Sequence, residues 1–221
     1  MLPNSLTSLF SNRNFAIFIG GNILSLIGTW IQIVTIAWLT WELTESTFWL
    51  GIMAMAQLLP TLILTPWAGV LADRYERRTV VFWAQSCACV ITLVLFALYE
   101  FDMLTIVWLF AAKASISSFL SLSQPARMAM TPDLVRDRDL PTAIAFGSIT
   151  FSVARFIGPA IAGVIISFGD IGWAFLINAV SFMALLIAVS LLRLPEQDRP
   201  TTAQRRGAVY AIREGMTYVR H

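Results

Sequence analysis

The sequence predicts an all-α membrane protein of six transmembrane helices, and three observations carry that reading. The residues AVILMFWYC make up 57% of the chain and charged residues 13%, with a mean hydropathy of +0.74, more apolar content than a soluble core needs. The apolar residues fall into runs that reach the ~20 residues a helix needs to cross a hydrocarbon core of about 30 Å. A transmembrane β-barrel would instead show alternating segments of about 10 residues, and these runs do not alternate. Finally, the basic residues crowd into every second connection between the runs.

In order, residues 1–14 are a short polar, cytoplasmic start containing Arg13. They lack an apolar stretch followed by a small-residue cleavage site, so no cleaved signal peptide is expected. Residues 15–192 hold the six-helix bundle. The first span is read as Phe15 to Trp41, and the second as Phe48 to Leu71 with Pro60 and Pro66, which a membrane helix tolerates as kinks. The third covers Thr79 to Tyr99 and the fourth Leu104 to Leu122. Ser123 to Leu140 reads as a longer polar loop. The fifth span covers Thr142 to Phe168 and, after a Gly-Asp-Ile-Gly turn, the sixth covers Trp173 to Leu192. Residues 193–221 form a basic cytoplasmic segment in which Val209, Ile212, Met216 and Val219 recur at helical spacing, the pattern of a short amphipathic helix on the membrane surface.

Orientation follows from the positive-inside rule. With the N-terminus in the cytoplasm, thirteen of the fifteen basic residues lie inside, and the outer connections hold only Glu42, Glu45, Glu100, Asp102 and Asp170. Both termini are then cytoplasmic. Trp41, Trp49, Trp108 and Trp173 fall near one interface and Trp67 and Trp83 near the other, as aromatic belts do.

The remaining two cations, Lys113 and Arg155, fall midway along the fourth and fifth spans. A charge there costs at least about 2.5 kcal/mol and normally faces a bundle interior or a wet cavity. No acid lies within any span to pair with them. They either meet an anionic group or a partner outside these helices, or they snorkel and bond carbonyls. Their helix faces favour an interior place. Lys113, Ser117 and Ser121 repeat at four; Ser148, Ser152, Arg155 and Pro159 follow four-three-four; Asn22, Ser25, Thr29 and Gln32 follow three-four-three. Each set is one stripe, and the three stripes would line a shared cavity. The serines are also explained by close helix packing.

Other chemistries find no support. No basic tract suggests nucleic acid, and the single histidine is the last residue. No catalytic, cofactor-binding or metal-ligating spacing stands out, so neither an enzyme nor a cofactor is expected. Cys87 and Cys89, two apart on one helix, point in different directions and read as packing rather than as a redox or metal pair.

The densest charge cluster stands between the second and third spans, Gly69-Val-Leu-Ala-Asp73-Arg74-Tyr-Glu76-Arg77-Arg78. It resembles the G-x-L-A-D-R-x-G-R-R loop of major facilitator superfamily transporters, with Glu76 where many members have glycine. Pro66-Trp-Ala-Gly-Val-Leu and Pro159-Ala-Ile-Ala-Gly-Val-Ile stand in the middle helices of two sets of three. That placement fits the two inverted three-helix repeats inside each half of such a transporter. Ala154, Gly158, Pro159 and Gly163 are similar to the fifth-helix G-x-x-x-G-P-x-x-G-G motif of facilitator antiporters, with Ala154 and Ala162 replacing two glycines. Lys113 falls where exporters carry an arginine in an R-x-x-Q-G element. Thr29-Trp-Ile-Gln32 and Gln124-Pro-Ala-Arg127-Met-Ala-Met-Thr-Pro-Asp133-Leu-Val look like the enterobactin-exporter and macrolide-efflux-like branch.

The resemblance covers the N-terminal half of such a protein. It implies a secondary active exporter of small amphipathic compounds, drug or siderophore-like, working by alternating access with proton antiport in a cell inner membrane. Its partners would be a small-molecule substrate, the lipid bilayer, protons and a second six-helix half. Gly69, Asp73, Arg74, Arg77 and Arg78 would be a conformational latch, and Asn22, Thr29, Gln32, Lys113, Ser117 and Arg155 the substrate cavity. The alternative is a truncated or split half-transporter, inactive by itself, that acts only with a partner half.

Overall fold

A computed structural model describes residues 8–192. The first seven residues and the basic segment 193–221, with its expected amphipathic helix, lie outside the described residues. Six helices are long and apolar enough to cross a membrane. They are α1 (Arg13–Thr44), α2 (Thr47–Arg74), α3 (Arg77–Glu100), α4 (Ile106–Leu134), α5 (Leu140–Ser167) and α6 (Gly172–Leu191), with a single 3-10 turn at Asp137–Asp139 before α5.

Local chemistry sets the ends. Asn12 caps α1, its Oδ1 accepting from the N–H groups of Asn14 (3.1 Å) and Phe15 (3.4 Å), as N-cap amides do. Glu45 stops α1 in the left-handed conformation at φ 48. Gly169 (φ +80) turns α5 into α6, a conformation glycine adopts without steric cost.

Two connections differ from expectation. The charged stretch between α2 and α3 shrinks to Tyr75 and Glu76, because Gly69 to Arg74 complete α2 and Arg77 opens α3. Leu71 and Ala72 pack against the core and keep that turn helical, and Arg74 suits the carbonyl end of the helix dipole. The loop read over Ser123 to Leu140 is mostly helix: α4 continues through Pro125 and Pro132 to Leu134. Ala126, Met130 and Leu134, spaced by four, are all buried in a core cluster. That stripe of packing outweighs the helix-breaking tendency of the prolines and polar residues around it.

Helices joined by a short connection barely touch within each set of three. The extensive contacts are α1 with α6 and its counterpart α4 with α3, then α2 with α4 and its counterpart α5 with α1, and α3 with α6, which is its own counterpart. Exchanging α1 for α4, α2 for α5 and α3 for α6 reproduces the pattern, and α1 and α4 run in opposite directions. The fold is therefore two inverted three-helix repeats packed into each other. Gly158 shows how tightly they meet, since a Cβ there would run into Trp30 Cβ of α1. With Ala154 and Ala162, also buried, it forms the small face by which α5 approaches α1.

One end of the bundle carries Arg13, Arg74, Arg77, Arg78, Arg136 and Arg138; the other carries Glu42, Glu45, Glu100, Asp102 and Asp170. Each end has an apolar cluster, Phe15, Phe18, Val81, Met130 and Leu185 at the basic end and Ile36, Leu39, Leu95, Leu109 and Phe175 at the acidic end. Between them lies a layer of buried polar side chains.

Candidate functional site

The polar layer is built on the α1 stripe. Ser25 and Gln32 are buried, and Asn22 and Thr29 partly so. Gln32 Oε1 accepts from Asn178 Nδ2 of α6 and from Thr92 Oγ1 of α3 at 3.3 Å. Asn178 Oδ1 in turn accepts from Ser181 Oγ at 2.9 Å. This chain fixes the Gln32 amide with its oxygen turned into the bundle, and Gln32 Nε2 is left without a hydrogen-bond partner. Gly28 makes the close approach of α1 and α6 feasible, because a Cβ there would collide with Ser181 Oγ and Asn178 Oδ1.

A pocket of ≈ 50 Å³ opens on the other side of Gln32. Thr29, Gln32 and Ile36 of α1, Gln57 of α2, Lys113, Ser117 and Leu120 of α4 and Phe182 of α6 are among its walls. Lys113 is 7% exposed and makes no hydrogen bond or ion pair among the described residues. Nor is any carboxylate among the lining residues. The Lys113 and Gln32 side chains thus border one small space, although the unpaired Gln32 amide nitrogen is itself closed off from it. Thr29 spends its proton on Ser25 O (2.7 Å), which leaves its hydroxyl oxygen as an acceptor.

A second polar node, which the sequence reading missed, lies toward the basic end. Arg127 of α4, read as a loop residue, donates through Nη1 to Asn22 Oδ1 (3.2 Å) and through Nη2 to Gln85 Oε1 (3.0 Å). Gln85 Nε2 then donates to Ser25 Oγ (3.0 Å). The node ties α1, α3 and α4 together. Its signal was present in the sequence, because Gln85 and Asn178 are amides inside apolar spans, where polar groups are costly and seek partners.

The structure separates the other expected residues. Lys113 and Ser117 share the pocket with Thr29 and Gln32, whereas Ser121 shares a hydrogen bond with Thr61 of α2 (2.8 Å). The α5 stripe does not join them: Ser148 and Ser152 bond their own helix backbone. Arg155 is exposed, its guanidinium 5.5 Å from the ring centroid of Trp30, within cation–π range. The physical reason is the small face of α5, which claims the contact with α1 and leaves Arg155 at its edge. Gly163 is exposed and Pro159 half-buried.

The charge cluster also divides. Arg77 Nη1 pairs with Asp133 Oδ2 (2.7 Å) and donates to Ala129 O (2.9 Å). Arg78 donates to Ser190 O (2.7 Å) and Leu192 O (3.2 Å) at the end of α6, a favourable place for a cation. Asp73 and Arg74 are exposed and have no partner among the described residues. Gly69 is half-buried, with open space where a Cβ would stand.

A family model described as transmembrane secretion effector matches residues 4–221. The chain belongs to this family, within the major facilitator superfamily. Among curated members it is 30% identical over 178 residues to the staphyloferrin A transporter of Staphylococcus aureus, a match covering 79% of this chain and 44% of that protein. It is 31% identical over 192 residues to the enterobactin exporter of Citrobacter koseri, covering 83% and 42%. Likewise, it is 27% identical over 219 residues to the MFS-type transporter YfiS of Bacillus subtilis, covering 96% and 51%. The chain spans about half the length of the curated relatives it matches. No solved structure matches it. These relatives are named as transporters and exporters, and the chain's own apolar helices make it a multi-pass membrane protein.

Proposed function

We propose that these six helices are one half of a secondary active exporter of small amphipathic compounds, siderophore-like in the first instance, working by alternating access in a bacterial inner membrane. The observation that carries the reading is the buried, unpaired Lys113 at a pocket in the middle of the helix bundle, where an ionisable residue normally marks a transport path. The named relatives supply the compound class. The basic end lies in the cytoplasm, by the positive-inside rule.

A second six-helix half completes the path. Support comes from α2 and α5, the two least buried spans and symmetry mates of each other. They expose Thr61, Thr65, Ser148, Ser152 and Arg155, groups poorly suited to lipid. On this reading Arg155 belongs to the larger cavity closed by that half. Asp73 and Arg74, unpaired within this bundle, are the part of the latch that meets it, forming pairs in one state and releasing them in the other. Proton antiport needs a membrane carboxylate that the second half supplies. If the natural gene product ends with this chain, the bundle acts only with a partner half.

The test is transport of enterobactin and staphyloferrin A by the full-length gene product in inverted membrane vesicles. Accumulation that depends on the proton gradient is expected. No accumulation of either compound, with the protein inserted, would reject the exporter reading for this compound class.

A further inference from the structure

We infer that a phospholipid is seated in an apolar groove between α2, α3 and α4 at the basic end, with one acyl chain inside the groove and the phosphate at Arg74. The site is separate from the Lys113 pocket and does not depend on the exporter reading.

The groove measures ≈ 270 Å³, against ≈ 50 Å³ for the pocket at Lys113. Leu71 of α2, Val80, Trp83 and Ala84 of α3, and Phe119 and Leu122 of α4 are among its walls. It exists because α2 and α3 each pack on α4 but barely on each other. Phe119 and Leu122 follow Lys113 by six and nine residues, roughly 120–180° round the helix, so the groove opens on a different flank of α4 from that pocket. On α2, Leu71 stands about 80–120° round from Thr61 and Thr65, off the polar stripe that faces the proposed second half.

The chemistry of the groove changes along its length. Tyr75 and Thr79 bring hydroxyls to the end at the α2–α3 turn, whereas the deeper walls are aliphatic and aromatic apart from the Cys87 thiol. From Thr79 to Cys87 is about 12 Å of helix, close to half of a hydrocarbon core of about 30 Å. Tyr75 and Trp83 are both exposed at the level where aromatic side chains meet headgroups. A groove that is polar at the interface and apolar toward the middle of the bilayer fits a chain running inward from its headgroup.

Arg74 identifies the headgroup chemistry. Leu71 and Arg74 are three apart and share a face of α2, which sets Arg74 at the mouth, while Asp73 falls toward the far side of the helix and is left to the latch. Arg77 pairs with Asp133, and Arg78 holds the end of α6. The Glu76 carboxylate accepts from Thr79 Oγ1 (2.9 Å). Arg74 is the guanidinium of this turn without a partner among the described residues. A phosphodiester carries one negative charge whatever alcohol it bears, and two of its oxygens match the guanidinium fork. The phosphate takes Arg74 whenever the latch releases it, and the chain stays in the groove.

The test compares dioleoylphosphatidylcholine with dioleoylglycerol, which has the same chains and no phosphate. Each is added in mixed micelles to the delipidated, detergent-purified full-length gene product, and retained lipid is counted by native mass spectrometry. The wild type should retain the phospholipid about tenfold better than the diacylglycerol, the factor carried by a charge-assisted hydrogen bond. Arg74→Gln, at an exposed site that does not threaten folding, should reduce the phospholipid to the level of the diacylglycerol. Arg13→Gln, also exposed at the basic end but on α1, should leave retention unchanged. Cys87→Trp fills the deep end of the groove and should lower retention of both lipids, with its melting temperature as the check on folding. Equal loss in Arg74→Gln and Arg13→Gln would mean lipid gathered by surface charge alone and would overturn the site. Full retention by a folded Cys87→Trp would overturn it too. So would a wild type that retains neither lipid or does not discriminate between them, the first being the result if the second half covers this groove.

Discussion

Lys113 and Arg127 stand on the same helix, about four turns apart and on nearly the same face, yet they are treated in opposite ways. Arg127 is engaged by Asn22 and Gln85 and binds three helices together. Lys113 is buried with every donor unspent. A half-buried cation whose two terminal nitrogens are held by amide oxygens is part of the scaffold, even with its Nε unpaired; one left open at a pocket is available to something that arrives. Arg155 is a third case, exposed on α5 and resting on Trp30.

Substitutions should separate these roles. Lys113→Gln is expected to reduce export about tenfold or more while leaving melting temperature and membrane insertion unchanged, as vesicle uptake and thermal unfolding would report. A drop in stability as large as the drop in transport would erase the contrast with Arg127. Arg127→Ala should do the reverse, because Asn22 and Gln85 lose a donor inside the bundle. A loss of about 1–3 kcal/mol should appear as a lower melting temperature, and export per folded molecule should change less than in Lys113→Gln.

The latch gives a smaller effect. Asp73→Asn should slow cycling by a few-fold without weakening substrate binding, since Asp73 has no partner inside this bundle. Equilibrium binding beside transport rate checks this, and lost binding would assign Asp73 a different role. Smallest in stability is Arg155→Gln. The contact over Trp30 is worth roughly 0.5–1 kcal/mol at an exposed site, and a shift beyond that range would mean that Arg155 is held more firmly than its exposure implies.

The spans were legible because a bilayer demands long apolar runs, and α1 to α6 satisfy that demand residue by residue. The polar part of the pocket on α1 and α4 was legible for a related reason. Thr29 and Gln32 on one helix and Lys113 and Ser117 on another each fall on one stripe, and a charge in mid-span has few places to go. What the stripes could not reveal was which helices meet. The packing of α1 on α6 and the reach of Thr92 from α3 decide that Gln32 meets Asn178 and Thr92, and no spacing within a single helix encodes that. Arg127 was hidden by its neighbours, since Pro125, Pro132 and Gln124 resemble a loop until the buried stripe Ala126, Met130 and Leu134 is seen to pack. Arg155 was placed beside Lys113 by its stripe, whereas the competing small face of Ala154, Gly158 and Ala162 sets it at the edge of α5, away from this pocket.

The most direct measurement is export by wild type, Lys113→Gln and Arg127→Ala in the full-length gene product, each paired with its melting temperature. Loss of transport at wild-type stability for Lys113→Gln, with loss of stability for Arg127→Ala, is the predicted result. Wild-type export from a stably inserted Lys113→Gln would contradict the placement of the transport path at this pocket.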